Sequence, residues 1–153
     1  MFRHDPQLAE AAKRISALTK DITEIISDLG LKPSTQKWSL TIAYHSACSI
    51  QHGQKLHEIP RQLLGAAGFN LREIPESHLC CGSAGTYNIL QPEIADQLRD
   101  RKLANIESIA PDIIATGNIG CMMQLATGVM TPIVHTACLL DWATGGPKPP
   151  SII

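Results

Sequence analysis

Apolar residues recur at intervals of three and four positions near the start of the chain. The repeating positions are Leu8, Ala11, Ile15, Leu18, Ile22, Ile25 and Leu29. This spacing predicts one long amphipathic helix of about six or seven turns, which begins after Asp5-Pro6 and is stopped by Gly30 and Pro33. Three partners for its apolar face stay open: the core of this chain, a domain outside it, or a second helix in a coiled coil.

Beyond residue 37, short apolar runs alternate with longer segments of helical periodicity. The runs that predict β-strands are residues 38–44, 69–74, 112–116 and 132–134. Helices are expected at residues 54–67 and 92–109, in a short segment ending at Leu125, and in a last segment that carries Cys138 and Trp142. Strands that alternate with helices imply parallel pairing with right-handed crossovers. We therefore expect an α/β, three-layer domain with a roughly four-stranded parallel sheet flanked by helices and preceded by the long N-terminal helix.

Three segments follow from this pattern. Residues 1–37 are expected to form the N-terminal amphipathic helix and a linker, residues 38–145 a cysteine-rich α/β domain, and residues 146–153 a tail. Within the helix predicted at residues 92–109, the charged positions Arg99, Asp100, Arg101 and Lys102 are expected on a solvated face.

Composition narrows the functional classes. Aromatic residues make up only 4% of the 153 residues and the formal net charge is -1, which argues against stacking on bases and against binding a phosphate backbone. The chain has no apolar run long enough to cross a bilayer and no recognisable secretory signal, so we expect a soluble, intracellular protein. In a reducing compartment, its five cysteines favour metal or redox chemistry over disulfides.

Two adjacent thiols, Cys80 and Cys81, precede a run of small residues. Adjacent cysteines cannot easily bond to each other without strain, but both can face one metal centre. Gly82 and Gly85 permit a positive φ, so that backbone amides can approach anionic sulfur. The alternative is that both cysteines are buried as small hydrophobic residues.

The other candidate ligands also follow predicted strands. In a parallel sheet, the loops after the strands gather at one edge, where open α/β folds place their sites. Four thiolates at this edge could hold a tetrahedral zinc ion or an iron-sulfur cluster. His45 and His135 end strands there, and each is either an additional metal ligand or a hydrogen-bonded structural residue. The cysteines that we expect at this edge are Cys48, Cys80, Cys81 and Cys121.

The motifs resemble a known family, the CCG cysteine-rich domain, which is found twice in one of the subunits of heterodisulfide reductase and also in related oxidoreductases. Within that group the chain is similar, over residues 38–142, to the C-terminal part of the glycolate oxidase (glycolate dehydrogenase) iron-sulfur subunit. The segments that carry the resemblance are residues 44–45, 51–54, 77–87, 98–103 and 118–121.

The resemblance implies an α/β domain in the iron-sulfur subunit of a flavin-dependent 2-hydroxy-acid oxidase or dehydrogenase complex. It implies a [4Fe-4S]-type cluster on the cysteines, with zinc as the alternative, and FAD only on a flavoprotein partner that passes electrons toward a quinone-type acceptor. The complex is expected to be cytoplasmic or peripheral at the inner face of the membrane. The family pattern ends in Cys-x-x-Cys, whereas Gln124 stands at the last position here; Cys138 matches no motif and is expected in the core.

The family also has an N-terminal ferredoxin-like part with Cys-x-x-Cys runs, which this sequence lacks. We therefore expect Met1 to begin a fragment, a split subunit or an engineered piece that does not oxidise glycolate alone. Two other hypotheses stay open: a zinc-bound or metal-free interaction domain that docks the flavoprotein, and thiol-disulfide chemistry at Cys80 or Cys81 if a following helix lowers a thiol pKa.

Overall fold

The computed structural model describes residues 2, 4–32, 34, 36 and 38–152. Met1, where we expect a fragment to begin, lies outside the described residues. So do Pro33 of the predicted helix stop, Lys37 at the end of the predicted linker, and Ile153 of the predicted tail. The division into helix, α/β domain and tail stays a prediction.

Four parallel strands form one sheet in the order β2-β1-β3-β4. They are β1 (Thr41–Tyr44), β2 (Asn70–Arg72), β3 (Ile113–Thr116) and β4 (Ile133–His135). The central strand β1 pairs with β2 on one side and with β3 on the other. Because the chain leaves β1 in one direction and reaches β3 on the opposite side, the carboxyl ends of these two strands border a topological switch point.

Helices cover both faces of the sheet, and the predicted α/β fold class is confirmed. The helices in chain order are α1 (Ala9–Leu18), α2 (Ile22–Leu29), α3 (Glu58–Ala66), α4 (Tyr87–Leu90), α5 (Pro92–Glu107), α6 (Ile119–Ala126) and α7 (Thr136–Ala143), with a π-helical turn at Ser49–Gln54; α3 and α7 pack on one face of the sheet, and α5 and α6 pack on the other. Within the described residues, none of these helices combines the length and apolar content needed to span a bilayer.

Two apolar clusters lie on opposite faces of the sheet. The first packs α3 and α7 against β1 and β3 through residues such as Leu64 and Leu139. The second packs α5 and α6 through Ile106 and Leu125, and it includes three of the cysteines. The cysteine loops are therefore anchored in the core on one face of the sheet.

The N-terminal segment forms two helices, which corrects the expectation of one long helix. The helix is interrupted at Asp21, whose carboxylate accepts a hydrogen bond from the Thr23 amide at 2.9 Å, while the Glu24 carboxylate accepts one from the Asp21 amide at 2.8 Å. This capping box starts a new helix at Ile22.

The apolar face of this segment is mostly open to solvent. Helix α1 buries no residue, and the exposed fractions of Ile15 and Leu18 are 66% and 80%. Helix α2 contacts the first cluster through Ile26. Of the three expected partners, the chain's own core therefore covers α2 in part and does not cover α1.

Candidate metal centre

The four motif cysteines reach one edge of the sheet from three separate connections. Cys48 directly precedes the π-helical turn that follows β1, and Cys80 and Cys81 lie in the loop between β2 and α4. Cys121 lies in the first turn of α6, where its amide donates to the Asn118 side chain at 3.1 Å. All four line a single cavity of about 160 Å³.

A buried histidine lies against these cysteines. The ligand atoms of His45, Cys81 and Cys121 all lie within 4.8 Å of one another, and the three residues are buried. His45 is only 1% exposed, yet neither of its ring nitrogens has a hydrogen-bond partner among the described residues. A buried polar atom without a partner is costly. A metal ion bound beside two thiols would give one of these nitrogens a partner, so the donor set fits a metal or cluster.

The protonation states fit the same interpretation. Burial lowers the pKa of His45 to about 4, so its imidazole is neutral and has a free lone pair at neutral pH. Hydrogen bonding with Cys121 and burial raise the pKa of Cys81 to about 11. Hydrogen bonding with Cys81, followed by burial, also raises the pKa of Cys80. These thiols are protonated in the metal-free protein, which does not support the hypothesis that a lowered pKa makes Cys80 or Cys81 a redox nucleophile.

The loop after the cysteines has two glycines in the left-handed region, with φ of 92° at Gly82 and 68° at Gly85. The Gly82 amide donates to the Cys80 sulfur at 3.3 Å. A Cβ at Gly82 would collide with the carbonyl oxygen of Ala95 on α5, whereas a Cβ at Gly85 would meet nothing within 4 Å. Gly82 therefore serves two purposes, because it places an amide on sulfur and lets the loop pack directly on α5.

Gln124, which stands where the family motif has its last cysteine, has other partners. Its side-chain oxygen accepts from the Asn88 amide at 2.9 Å, and its nitrogen donates to the Ala95 carbonyl at 3.4 Å. Gln124 thus ties α6 to α4 and α5. Gln124 is therefore engaged elsewhere, whereas both ring nitrogens of His45 lack a hydrogen-bond partner among the described residues and are free to bind a metal.

The structure does not bring His135 to the cysteines. Its Nδ1 accepts from the Ala137 amide at 3.2 Å at the start of α7, and it lines a different cavity with Tyr44 and Thr136. Cys138, expected in the core, is exposed on α7. Both residues lie outside the cysteine cavity.

The sequence pattern places Lys102 wrongly. It predicts a solvated face, whereas Lys102 is 0% exposed and its Nζ donates at 2.9 Å to the carbonyl of Glu76, in the turn that precedes the cysteines. A signal was present, because Lys102 lies four residues after Leu98 and four before Ile106, in line with apolar positions of one helix face. A lysine in line with the apolar positions of a helix therefore predicts a buried charge.

Comparisons with known proteins agree with this geometry. A family model described as "Cysteine-rich domain" (CCG) matches residues 42–126. The glycolate oxidase iron-sulfur subunit of Escherichia coli (strain K12) is 39% identical over 143 residues, which cover 94% of this chain and 35% of that protein. Lactate utilization protein A of Geobacillus thermodenitrificans (strain NG80-2) is 30% identical over 148 residues, which cover 92% of this chain and 62% of that protein.

A probable glycolate oxidase iron-sulfur subunit of Bacillus subtilis (strain 168) is 28% identical over 155 residues, covering 95% of this chain and 35% of its own length. The chain thus spans about a third of the glycolate oxidase subunits and less than two thirds of lactate utilization protein A. The family resemblance indicated by the sequence motifs is confirmed.

Proposed function

This chain belongs to the CCG cysteine-rich domain family, and we propose that it is the cluster-binding domain of an iron-sulfur subunit in a glycolate or other 2-hydroxy-acid oxidase complex. The observation that carries the proposal is the buried group of His45, Cys81 and Cys121, in which the histidine has no other partner. The names of the relatives, an iron-sulfur subunit and a lactate utilization protein, support the substrate class.

Cys48, Cys80, Cys81 and Cys121 would hold the group, with His45 as a further ligand. When bound, an iron-sulfur cluster supplies one-electron oxidation and reduction. The chain excludes water from the inner side of the site, where Cys81 and Cys121 are buried, and leaves Cys48 and Cys80 half-buried on the outer side. The Gly82 amide donates to sulfur and stabilises its negative charge.

The partner that we propose is a flavoprotein subunit carrying FAD, from which this domain takes electrons toward a quinone-type acceptor. Exposed apolar side chains lie on the two helices that carry or follow the cysteine motifs in the chain. Ile119 and Met123 project from α6, the helix that carries Cys121, and Ile89 projects from α4 after the cysteine loop. Such residues are typical of a surface that contacts another protein.

Zinc is the second candidate because of the same donor set. The imidazole of His45 with the thiols of Cys81, Cys121 and one further cysteine forms a Cys₃His set, which is a common structural zinc site. In that case the domain would be a zinc-stabilised module that docks the flavoprotein.

Elemental analysis of anaerobically purified protein separates these functions. We expect iron and acid-labile sulfide in the wild-type chain, and loss of both in Cys81→Ser. Cys138→Ser is the matched control, because this exposed cysteine lies outside the cavity and its loss should leave the iron content unchanged. Stoichiometric zinc without sulfide would support the zinc module. Protein that holds neither iron nor zinc after anaerobic reconstitution would contradict both functions.

A further inference from the structure

Lys102 is the one Lys, Arg, Asp or Glu residue that is buried among the residues that the structure describes. Burying an ammonium group is expensive unless opposite charge or hydrogen bonds compensate for the lost hydration. Lysine is therefore almost never found fully buried without a partner. The surroundings of Lys102 should show what compensates its charge.

Its direct contacts supply hydrogen bonds but no negative charge. The Nζ atom donates to the backbone carbonyls of Glu76 at 2.9 Å and Ser77 at 3.4 Å. The Glu76 carboxylate is turned outward, where Arg101 and Asn105 bind it at the surface. Among the described salt bridges, none includes Lys102.

The groups that could supply the charge are the cysteines. Burial lowers the pKa of Lys102, while Cys48, Cys81, Glu76 and Cys80 act in the opposite direction through their charge. The two carbonyls that accept from Lys102 Nζ belong to the turn that leads into Cys80 and Cys81. Lys102 thus places a buried cation at the start of the cysteine loop, where water cannot screen it.

We propose that Lys102 is the counter-charge of the cysteine centre, a positioning residue that favours metal binding by stabilising the thiolate ligands. Four thiolates around a divalent cation have a net charge of −2, and one buried ammonium halves that excess. This inference rests on the proposed function, because it requires that the cysteines bind a metal ion.

A purely structural explanation makes a different prediction. Arg101 and Asn105 already fix the Glu76 turn to α5, so Lys102 is not the sole tie between the helix and the loop that leads to Cys80. If Lys102 only fastened this turn, a neutral side chain able to donate to the Glu76 carbonyl would support metal binding equally well. Lys102→Gln keeps a donor and removes the charge, whereas Lys102→Arg keeps the charge.

The test is an anaerobic Co²⁺ titration of the metal-free full chain, followed by the thiolate-to-cobalt absorption bands. We expect Lys102→Gln and Lys102→Met to bind Co²⁺ about tenfold or more weakly than wild type, and Lys102→Arg to stay within about threefold. Lys13→Met is the matched control: it removes one lysine charge from an exposed position on α1 and should change the affinity by less than about threefold.

The outcomes distinguish the metal site from the role of Lys102. Failure of the wild-type chain to bind Co²⁺ overturns this inference, whereas the metal site itself is overturned only if the chain also holds no iron, sulfide or zinc after reconstitution. If the wild-type chain binds Co²⁺ and Lys102→Gln and Lys102→Met bind it equally tightly, the role of Lys102 is overturned while the metal site stands. The same conclusion follows if Lys102→Arg loses as much affinity as Lys102→Gln. The rise in Tm on adding Co²⁺ gives the same comparison for any variant whose metal-free form is unstable.

Discussion

At the scale of single residues, Gly82 and Gly85 differ sharply although both have positive φ. At Gly82 the backbone is pressed against the Ala95 carbonyl of α5, while Gly85 faces open space. The left-handed conformation alone costs an L-residue about 1–2 kcal/mol. Of these two glycines, Gly82 is the one at which a collision with backbone adds to that cost.

We expect Gly82→Ala to lower the free energy of unfolding by about 3 kcal/mol or more, because α5 or the cysteine loop must move to admit the methyl group. Gly85→Ala, the matched control, should cost only the strain of the left-handed conformation, about 1–2 kcal/mol. Urea denaturation of both variants measures the difference. Equal losses would show that the packing of Gly82 on α5 does not matter.

His45 and Gln124 give a second paired prediction. His45→Ala removes a buried side chain whose two nitrogens have no partner among the described residues, so we expect the metal content to fall at least about tenfold. Gln124→Ala removes hydrogen bonds to Asn88 and Ala95 and should cost about 1–2 kcal/mol of stability with little loss of metal. Metal analysis of the two folded variants checks this; loss of metal in Gln124→Ala alone would reverse the assignment.

At the scale of elements, the strands were predictable and the contacts between distant elements were not. Apolar runs marked β1 and β3 because both are buried central strands, and the position of Cys48 and Cys121 after them indicated a common edge. The break before α2 had a signal, Asp21 followed by Glu24, that the apolar stripe obscured. The contact between Gly82 and Ala95 had none, because sequence spacing does not show where a loop meets a helix.

The capping box of α2 gives a prediction at this scale. Asp21→Ala removes the acceptor for the Thr23 amide, and we expect it to lower the free energy of unfolding by about 1 kcal/mol. Asp5 caps the amides of Gln7 and Leu8 in the same manner, but it precedes α1, which buries no residue. Asp5→Ala should therefore leave the urea midpoint unchanged, and a shift as large as that of Asp21→Ala would contradict this difference between the helices.

The turn before the cysteines should give a pH-dependent contribution to stability. Glu76 has φ of 50°, and hydrogen bonds from Arg101 and then Asn105 lower the pKa of its carboxyl group. A pKa that is lower in the folded than in the unfolded chain stabilises the fold above the unfolded value, and this stabilisation is lost as pH falls through the folded value. Glu76→Gln should thus be less stable than wild type at pH 7, and the difference should shrink below about pH 4.5. A difference that stays constant down to pH 3 would exclude the ionic contribution.

At the scale of the whole molecule, stability is concentrated around the two central strands. Strand β1 pairs on both sides, and so does β3, and an apolar cluster covers each face of the sheet. Cys80, Cys81 and Cys121 of the cysteine centre belong to or pack against one of these clusters. Helix α1 belongs to neither, because it has ten residues and none of them is buried, and isolated helices of that length are marginal in water.

Hydrogen exchange should therefore divide the chain into regions of very different stability. Amides of α1 are expected to open with a free energy of about 0–1 kcal/mol, whereas amides of β1 and β3 should exchange only through global unfolding. Leu64→Ala makes a decisive comparison, because Leu64 is buried in the cluster shared by α3, α7 and the central strands. Its truncation should lower the protection of Ile42 and Ile114 by about 2–5 kcal/mol and leave α1 unchanged. If α1 were as protected as the strands, or lost protection together with them, its apolar face would have to be part of the same cooperative core.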